Sequence, residues 1–191
     1  MDSELMLDVG QASEFKMALR RAGWTNADVK RLCEGNALGQ LLPFIRGQAE
    51  VVVKKHIIDT DADPLVPGGW KVEEHRKGGQ FVWDPAKVSL HLSFNQQNGN
   101  VIQGHQLRRE LVVCVPNLNA NVLDYLLAHP ELIPESWMGK AIFFWGTIYR
   151  SADGDLCVRY LIWKGKQWSW GDRWLGSGWN NNNPAAVSAS V

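Results

Sequence analysis

The chain has 191 residues, 45% of them hydrophobic, which suits one large folded domain or a domain with a small appendage. Lys plus Arg and Asp plus Glu both number 20, so the formal net charge is zero. That balance argues against a dedicated nonspecific DNA binder, whose affinity comes from neutralising phosphates, and leaves room only for a local basic patch.

In chain order, the first elements are helical. Ser13 is positioned to cap a helix through Phe15, Met17, Ala18, Leu19 and Ala22 that ends at Gly23. Thr25 or Asn26 then caps a second helix with Val29, Leu32 and Cys33, and Asp28 in its first turn favours the helix dipole. Leu38, Leu41 and Leu42 form a further short apolar turn before Pro43. Residues 1–48 are therefore expected to be an N-terminal helical hairpin, with helix-turn-helix as a variant.

From residue 49 the pattern turns to strands. Val51 to Val53 with Ile57 and Ile58 predict a strand that runs into an Asp-rich turn ending at Pro64. Trp70 and Val72 on one side of Lys77-Gly78-Gly79, and Phe81, Val82 and Trp83 on the other, predict a hairpin. Val88, Leu90, Leu92 and Phe94 alternate at period two, the clearest single strand signal. A short helix is expected over residues 104–111. A well-marked one follows, capped by Asn119 or Asn121, filled by Val122, Leu123, Tyr125, Leu126 and Leu127, and stopped by Pro130.

Residues 141–149 are almost wholly apolar, as in a strand covered on both faces. Asp153-Gly154 and then Gly165 divide the segment that follows into a three-stranded antiparallel meander. The fold expected is α+β: the helical hairpin, then residues 49–180 as an antiparallel sheet with a packed helix and a Trp-rich meander. Residues 181–191, which begin within the run Asn180 to Asn183 and continue in small residues, are expected to be a flexible tail.

The segment from Asn119 to Pro134, reading NANVLDYLLAHPELIP, resembles a group of small uncharacterised bacterial proteins. FFWGTIYR from Phe143 to Arg150 and the stretch from Trp174 to Val187 look like the same group. The resemblance covers roughly the C-terminal two-thirds of the chain. It implies a bacterial or mobile-element origin and no particular chemistry.

Motifs for catalysis are sparse. Asp59-x-Asp61-x-Asp63 begins like a calcium loop, but Pro64 and Trp70 occupy the positions that need glycine and a bidentate acid. An Asp-rich turn is the simpler reading. Five histidines, His56, His75, His91, His105 and His129, form no HxxxH pair; His75 beside Glu73 and Glu74 is a candidate for acid–base work, but a solvated charged strand edge is the favoured reading of Glu73 to Lys77. Cys33, Cys114 and Cys157 lack CxxC spacing and read as reduced thiols. No apolar run approaches the ~18 residues of a membrane span, and no signal-peptide design opens the chain. A cytoplasmic, non-membrane protein without cofactor or metal, and not an enzyme, is expected.

The densest signal is tryptophan. There are ten, among them Trp145, Trp163, Trp168, Trp170, Trp174 and Trp179. Trp145 and Trp163 sit in apolar strands and are expected to be structural, whereas Trp168, Trp174 and Trp179 lie among Gly, Ser, Asp and Asn and are expected to be exposed. The function expected is non-catalytic, regulatory binding of a protein partner by Trp168, Trp170, Trp174 and Trp179, with Arg159 and Arg173 orienting polar groups. Two alternatives stand beside it. One is sequence-specific DNA reading by Thr25, Asn26, Lys30 and Arg31 of the second helix. The other is carbohydrate binding on coplanar Trp rings.

Overall fold

The computed structural model describes residues 6–50, 55–114 and 116–189. The chain divides into two compact units, residues 1–54 and 55–191, slightly beyond the division expected at 48/49. Among the described residues no helix is long and apolar enough to cross a membrane.

The first unit holds three helices, α1 (Val9–Arg21), α2 (Asn26–Cys33) and α3 (Ala37–Ile45). α1 begins earlier than Ser13 predicts, because Asp8 and Gln11 form a reciprocal capping box: Gln11 N donates to Asp8 Oδ1 at 2.7 Å and Asp8 N to Gln11 Oε1 at 3.1 Å. The chain reverses at Gly23, whose φ of 81° suits glycine. α2 starts where expected, with Thr25 N donating to Asp28 Oδ2 at 2.8 Å. α3 runs through Pro43 instead of stopping before it. None of the unit's described side chains is buried, and Leu19, Val29, Leu32 and Ala37 are only half-buried.

The second unit is α+β, and its main sheet has seven strands. At its centre β6 (Ile142–Phe143) and β7 (Thr147–Arg150) are two halves of one interrupted segment. β8 (Leu156–Trp163) pairs with both halves along one edge, at Phe143↔Tyr160 and Tyr149↔Cys157, and with β9 (Trp168–Trp174) along the other. Gly154 at φ 90° and Gly165 at φ 78° make the two turns, so the meander forms as its turn residues predict. The break between β6 and β7 is set by Gly146: a Cβ there would lie 2.8 Å from the backbone of Asn119.

Two parts differ from expectation. No hairpin forms across Lys77-Gly78-Gly79. Instead β2 (Lys71–His75) pairs with β7, and β3 (Gln80–Val82) pairs with β1 (Ile57–Asp59). The reason lies in the loop's polar bonds: Asp61 Oδ1 accepts from Gly78 N and Gly79 N at 2.9 and 2.8 Å, and Thr60 Oγ1 donates to Gly79 O at 2.7 Å. These tie the loop to the end of β1. The expected strand residues Val51 to Val53 lie outside the described residues.

The second difference is in the C-terminal segment. Ala185–Ser188, placed by expectation in a flexible tail, is β11, an inner strand between β6, to which it runs parallel, and β4 (Val88–His91), to which it runs antiparallel. The sheet is therefore mixed, not purely antiparallel. The Asn run before β11 is a hydrogen-bonded turn, with Asn180 N donating to Asn183 Oδ1 at 3.1 Å. Gln96 Nε2 anchors it by donating to the carbonyls of Asn180 and Asn183, both at 3.0 Å.

Helices cover both faces. α5 (Ala120–Ala128) contributes Val122, Leu123 and Leu126 to one core with Ile142, Phe144, Leu161 and Ala186. α4 (Gly104–Cys114) contributes Leu107 and Leu111 to the other with Phe143, Trp145, Val158 and Trp179. The alternation Ile142/Phe143/Phe144/Trp145 between the two cores is why residues 141–149 read as continuously apolar: each face of the sheet has its own dry partner. A fully buried side chain of this size stabilises the fold by roughly 1.5–3 kcal/mol.

Candidate functional site

The meander's last strand, β9, lies at the edge of the main sheet and among the described residues pairs only with β8. Its register is fixed by Lys164 N donating to Gln167 O at one end and Leu175 N to Leu156 O at the other. Antiparallel pairs alternate between hydrogen-bonded and non-bonded. Trp168, Trp170, Asp172 and Trp174 thus occupy non-bonded positions toward β8 and direct their N–H and C=O groups away from it; the Trp174 carbonyl accepts from Ser177 N at 3.0 Å and the Trp170 carbonyl from Ser169 Oγ at 3.4 Å. Their side chains share the α5 face of the sheet with Cys157, Arg159, Leu161 and Trp163.

On that face exposure is graded. Trp168 is half-buried against the α5 core and meets Trp163 edge-on, with centroids 5.5 Å apart and rings 63° from parallel. Those two rings do not form the coplanar platform that a sugar-binding face needs. Trp170 is 36% exposed and Trp174 49%. Gly176 makes room for the Trp174 ring, since a Cβ there would fall 2.5 Å from it.

Three of the expected binding residues are placed differently. Trp179 is completely buried in the α4-side core, tilted against Phe143 and Trp145 at centroid distances of 4.1 and 4.7 Å. Its neighbours in sequence are polar, but β10 (Gly178–Trp179) pairs with β5 (Ile102–Gln103) and carries the indole inward. Arg173 lies on that same α4 side, its guanidinium 5.7 Å over the Trp179 ring. Arg159 is buried on the α5 side. It donates to Asp124 from both terminal nitrogens, at 3.0 and 2.6 Å, and its guanidinium sits 4.5 Å over the Trp170 ring. Burial opposes the Arg159 charge, but the bonds to Asp124 outweigh it and hold the guanidinium above its ordinary pKa. Arg159 therefore supports Trp170 from beneath instead of rimming an open surface.

The N-terminal candidates share the short helix α2. Thr25 spends its hydroxyl on the cap, donating to Asp28 Oδ2 at 2.6 Å, and these bonds lower the Asp28 pKa. Asn26, Lys30 and Arg31 are exposed.

Glu73 and Glu74, the candidate acid–base partners of His75, are both bound to arginines. Glu73 is bound bidentately by Arg150, at 3.0 and 2.7 Å, which lowers its pKa, and Glu74 pairs with Arg108. His75 points inward. Its Nε2 faces the Thr60 carbonyl at 3.0 Å and so carries the proton, and its Nδ1 accepts from the Thr147 hydroxyl at 2.9 Å. Thr147 Oγ1 in turn accepts from Ala120 N at 3.0 Å. That caps α5 from another strand, because its N-cap residue Asn119 makes no side-chain cap bond.

Asn119 is engaged elsewhere. Its Nδ2 donates to Thr60 O at 2.8 Å and to Arg76 O at 2.9 Å. Both amide hydrogens meet carbonyls, which fixes the orientation of the amide and leaves buried Oδ1 without a hydrogen-bond partner. An unmet buried acceptor costs about 1–3 kcal/mol. Asn119 is one of the residues lining a cleft of about 520 Å³ between the loop after β2 and the C-terminal turn of α4. In the sequence Asn119 reads only as a helix cap, with nothing beside it to mark the cleft. The one available signal was Thr147, a lone hydroxyl inside an apolar run.

The remaining histidines give one pair. His56 Nδ1 lies 3.0 Å from the Tyr125 hydroxyl, and the His56 and His129 rings are 5.8 Å apart. The Asp-rich segment is a turn held by its own side chains, with Asp61 N donating to Asp59 Oδ1 at 2.9 Å. Among the described residues no group of three metal-ligating side chains gathers. No family model, curated protein or solved structure matches the chain.

Proposed function

We propose that this chain is a non-catalytic recognition protein that takes an extended segment of a protein partner along the open edge of β9. One observation carries this reading: a seven-residue edge strand combines outward-facing backbone groups with the exposed indoles of Trp170 and Trp174. Edge strands are templates for strand addition, in which main-chain bonds supply affinity and alternate side chains supply specificity. Tryptophans with one wet face are frequent anchors in such contacts. Buried Arg159, held by half-buried Asp124, supports Trp170 from beneath and keeps that anchor in place, so less ordering is needed on binding.

A screen of extended peptides against the full chain, followed by amide exchange, tests the proposal. A bound peptide should slow exchange at Trp168, Trp170, Asp172 and Trp174 at least tenfold and perturb the Trp170 and Trp174 fluorescence. The variant Asp172→Pro removes one outward N–H without touching a backbone bond to β8, and should abolish binding while preserving the fold. Binding that survives Asp172→Pro, or protection on another strand, would overturn the reading.

A further inference from the structure

We infer that the pocket between the C-terminal end of α5 and the turn joining β8 to β9 binds a small quaternary ammonium compound of the choline type. The site is built from side chains, Trp163 and Trp168 among them, and not from the open main-chain edge of β9, so it does not depend on the strand-addition reading. Its volume, about 560 Å³, lies within the ~300–1,000 Å³ range usual for small-molecule sites and takes a whole small compound.

Three features of the pocket select such a cation. The first is aromatic. Trp163 and Trp168 are opposite one another in the β8–β9 register, and both are half-buried and line the pocket. Their rings are inclined at 63° with centroids 5.5 Å apart. That arrangement does not stack on a flat sugar ring, but it offers a compact cation more than one π surface. The second feature is charge. Glu131 and Glu135 line the same pocket, and among the described residues no lysine or arginine forms an ion pair with either. Glu131 approaches His129 Nδ1 at 3.4 Å, yet its side chain remains 65% exposed. The third is the helix end: Leu127, in the last turn of α5, lines the pocket, which sets the negative end of the helix dipole beside it. Exposed Lys166 opposes these groups, but two carboxylates against one ammonium leave the pocket negative. Methylation of the ligand follows from the rest of the wall. Leu127, Pro130 and Ile133 have side chains without an acceptor for the three N–H groups of a primary ammonium, and they pack well against methyl groups.

Choline chloride is the probe, and 3,3-dimethylbutan-1-ol, in which carbon replaces the nitrogen, is the uncharged control of the same shape. In a nitrogen-15 and methyl NMR titration of the full chain at constant ionic strength, choline should give saturable shifts at the indole N–H groups of Trp163 and Trp168 and at the methyl of Met138, which also lines the pocket. The alcohol should bind about tenfold more weakly. Glu135→Gln should weaken choline binding about threefold and Lys166→Gln should tighten it. Both positions are exposed, so the spectrum should otherwise be unchanged. Trp163→Leu, which keeps an apolar side chain at a half-buried position, should weaken binding about tenfold. A short peptide carrying Nε-trimethyl-lysine separates a free compound from a side chain of another protein, and choline is expected to bind the tighter of the two. Four outcomes would each overturn the inference: no saturation by about 10 mM, equal affinity for the uncharged alcohol, choline affinity unchanged in both Glu135→Gln and Lys166→Gln, or tighter binding of the peptide. Failure here leaves the exchange protection on β9 untouched, and Asp172→Pro should leave these shifts untouched, so the two readings fail separately.

Discussion

Arg159 offers the sharpest test of the reasoning, because the same residue reads as a surface ligand contact in the sequence and as a buried strut in the fold. Its side chain is 1% exposed and that of its partner Asp124 is 26% exposed. This asymmetry sets the order of effects in a double-mutant cycle. Asp124→Ala strands a guanidinium that water cannot reach, and should cost about 3–5 kcal/mol. Arg159→Met keeps most of the packing volume, and the carboxylate left behind can be rehydrated. That variant loses the ion pair and the contact with Trp170, together about 1–3 kcal/mol. The double variant should be more stable than Asp124→Ala alone, with a coupling energy of about 2–3 kcal/mol. Urea unfolding of the full chain, followed by tryptophan fluorescence, reads this out, since every Trp except Trp24 lies in residues 55–191. If Arg159→Met shifts stability by less than ~0.5 kcal/mol, or the two substitutions simply add, the pair is not the buried strut described.

Other consequences can be checked in the same way. Thr147→Val removes the acceptor for Ala120 N and the donor to His75 in one change and should cost about 2–3 kcal/mol; Thr147→Ser should recover most of it in the same urea assay. Gly104→Ala would put a Cβ 2.4 Å from Trp179 Nε1 and 2.7 Å from the Leu175 carbonyl oxygen. Because one of these contacts is backbone, a loss of about 1–3 kcal/mol is expected, and a thermal midpoint equal to wild type would refute the close approach. Burial, aided by Asp172 and Asp155, pushes the Cys157 thiol up to about 11. At pH 9 iodoacetamide should therefore label exposed Cys33 and spare Cys157 until the chain is unfolded. The folded thiol ionises later than the unfolded one, so its contribution to stability is present below the unfolded pKa and is lost as pH rises toward 11. The stability of wild type relative to Cys157→Ala should accordingly fall over that window, and a constant difference would contradict the burial.

Several local signals carry through to the fold, although α1 begins at the Asp8–Gln11 box and not at Ser13, α3 runs through Pro43, and no hairpin forms across Lys77-Gly78-Gly79. The Thr25–Asp28 cap, the Asp153-Gly154 and Gly165 turns of the meander, and α5 with its apolar face all depend on residues within a few positions of one another. Their torsional preferences and near-neighbour hydrogen bonds act whatever the rest of the chain does. The two-faced apolar run at 141–149 also announced that both sides of the sheet would be covered. The candidate surface was legible in part: Trp170 and Trp174 are open, whereas Trp179 has its place decided by β10 pairing with β5 far back in the chain.

Local residue patterns thus suffice to mark α2, α5 and the two turns of the meander, and to show that tryptophan dominates the C-terminal third. The tertiary structure alone decided that β2 and β3 part to different neighbours, that Ala185–Ser188 becomes an inner strand, and that Arg173 and Trp179 face away from Trp170. It also brought Thr60, His75, Asn119 and Thr147 to one buried point from four distant segments. The physical reason is range. Helix caps and turns follow from torsions and bonds spanning a few residues, whereas strand partners and buried polar centres follow from which distant donors and acceptors remain once water is excluded.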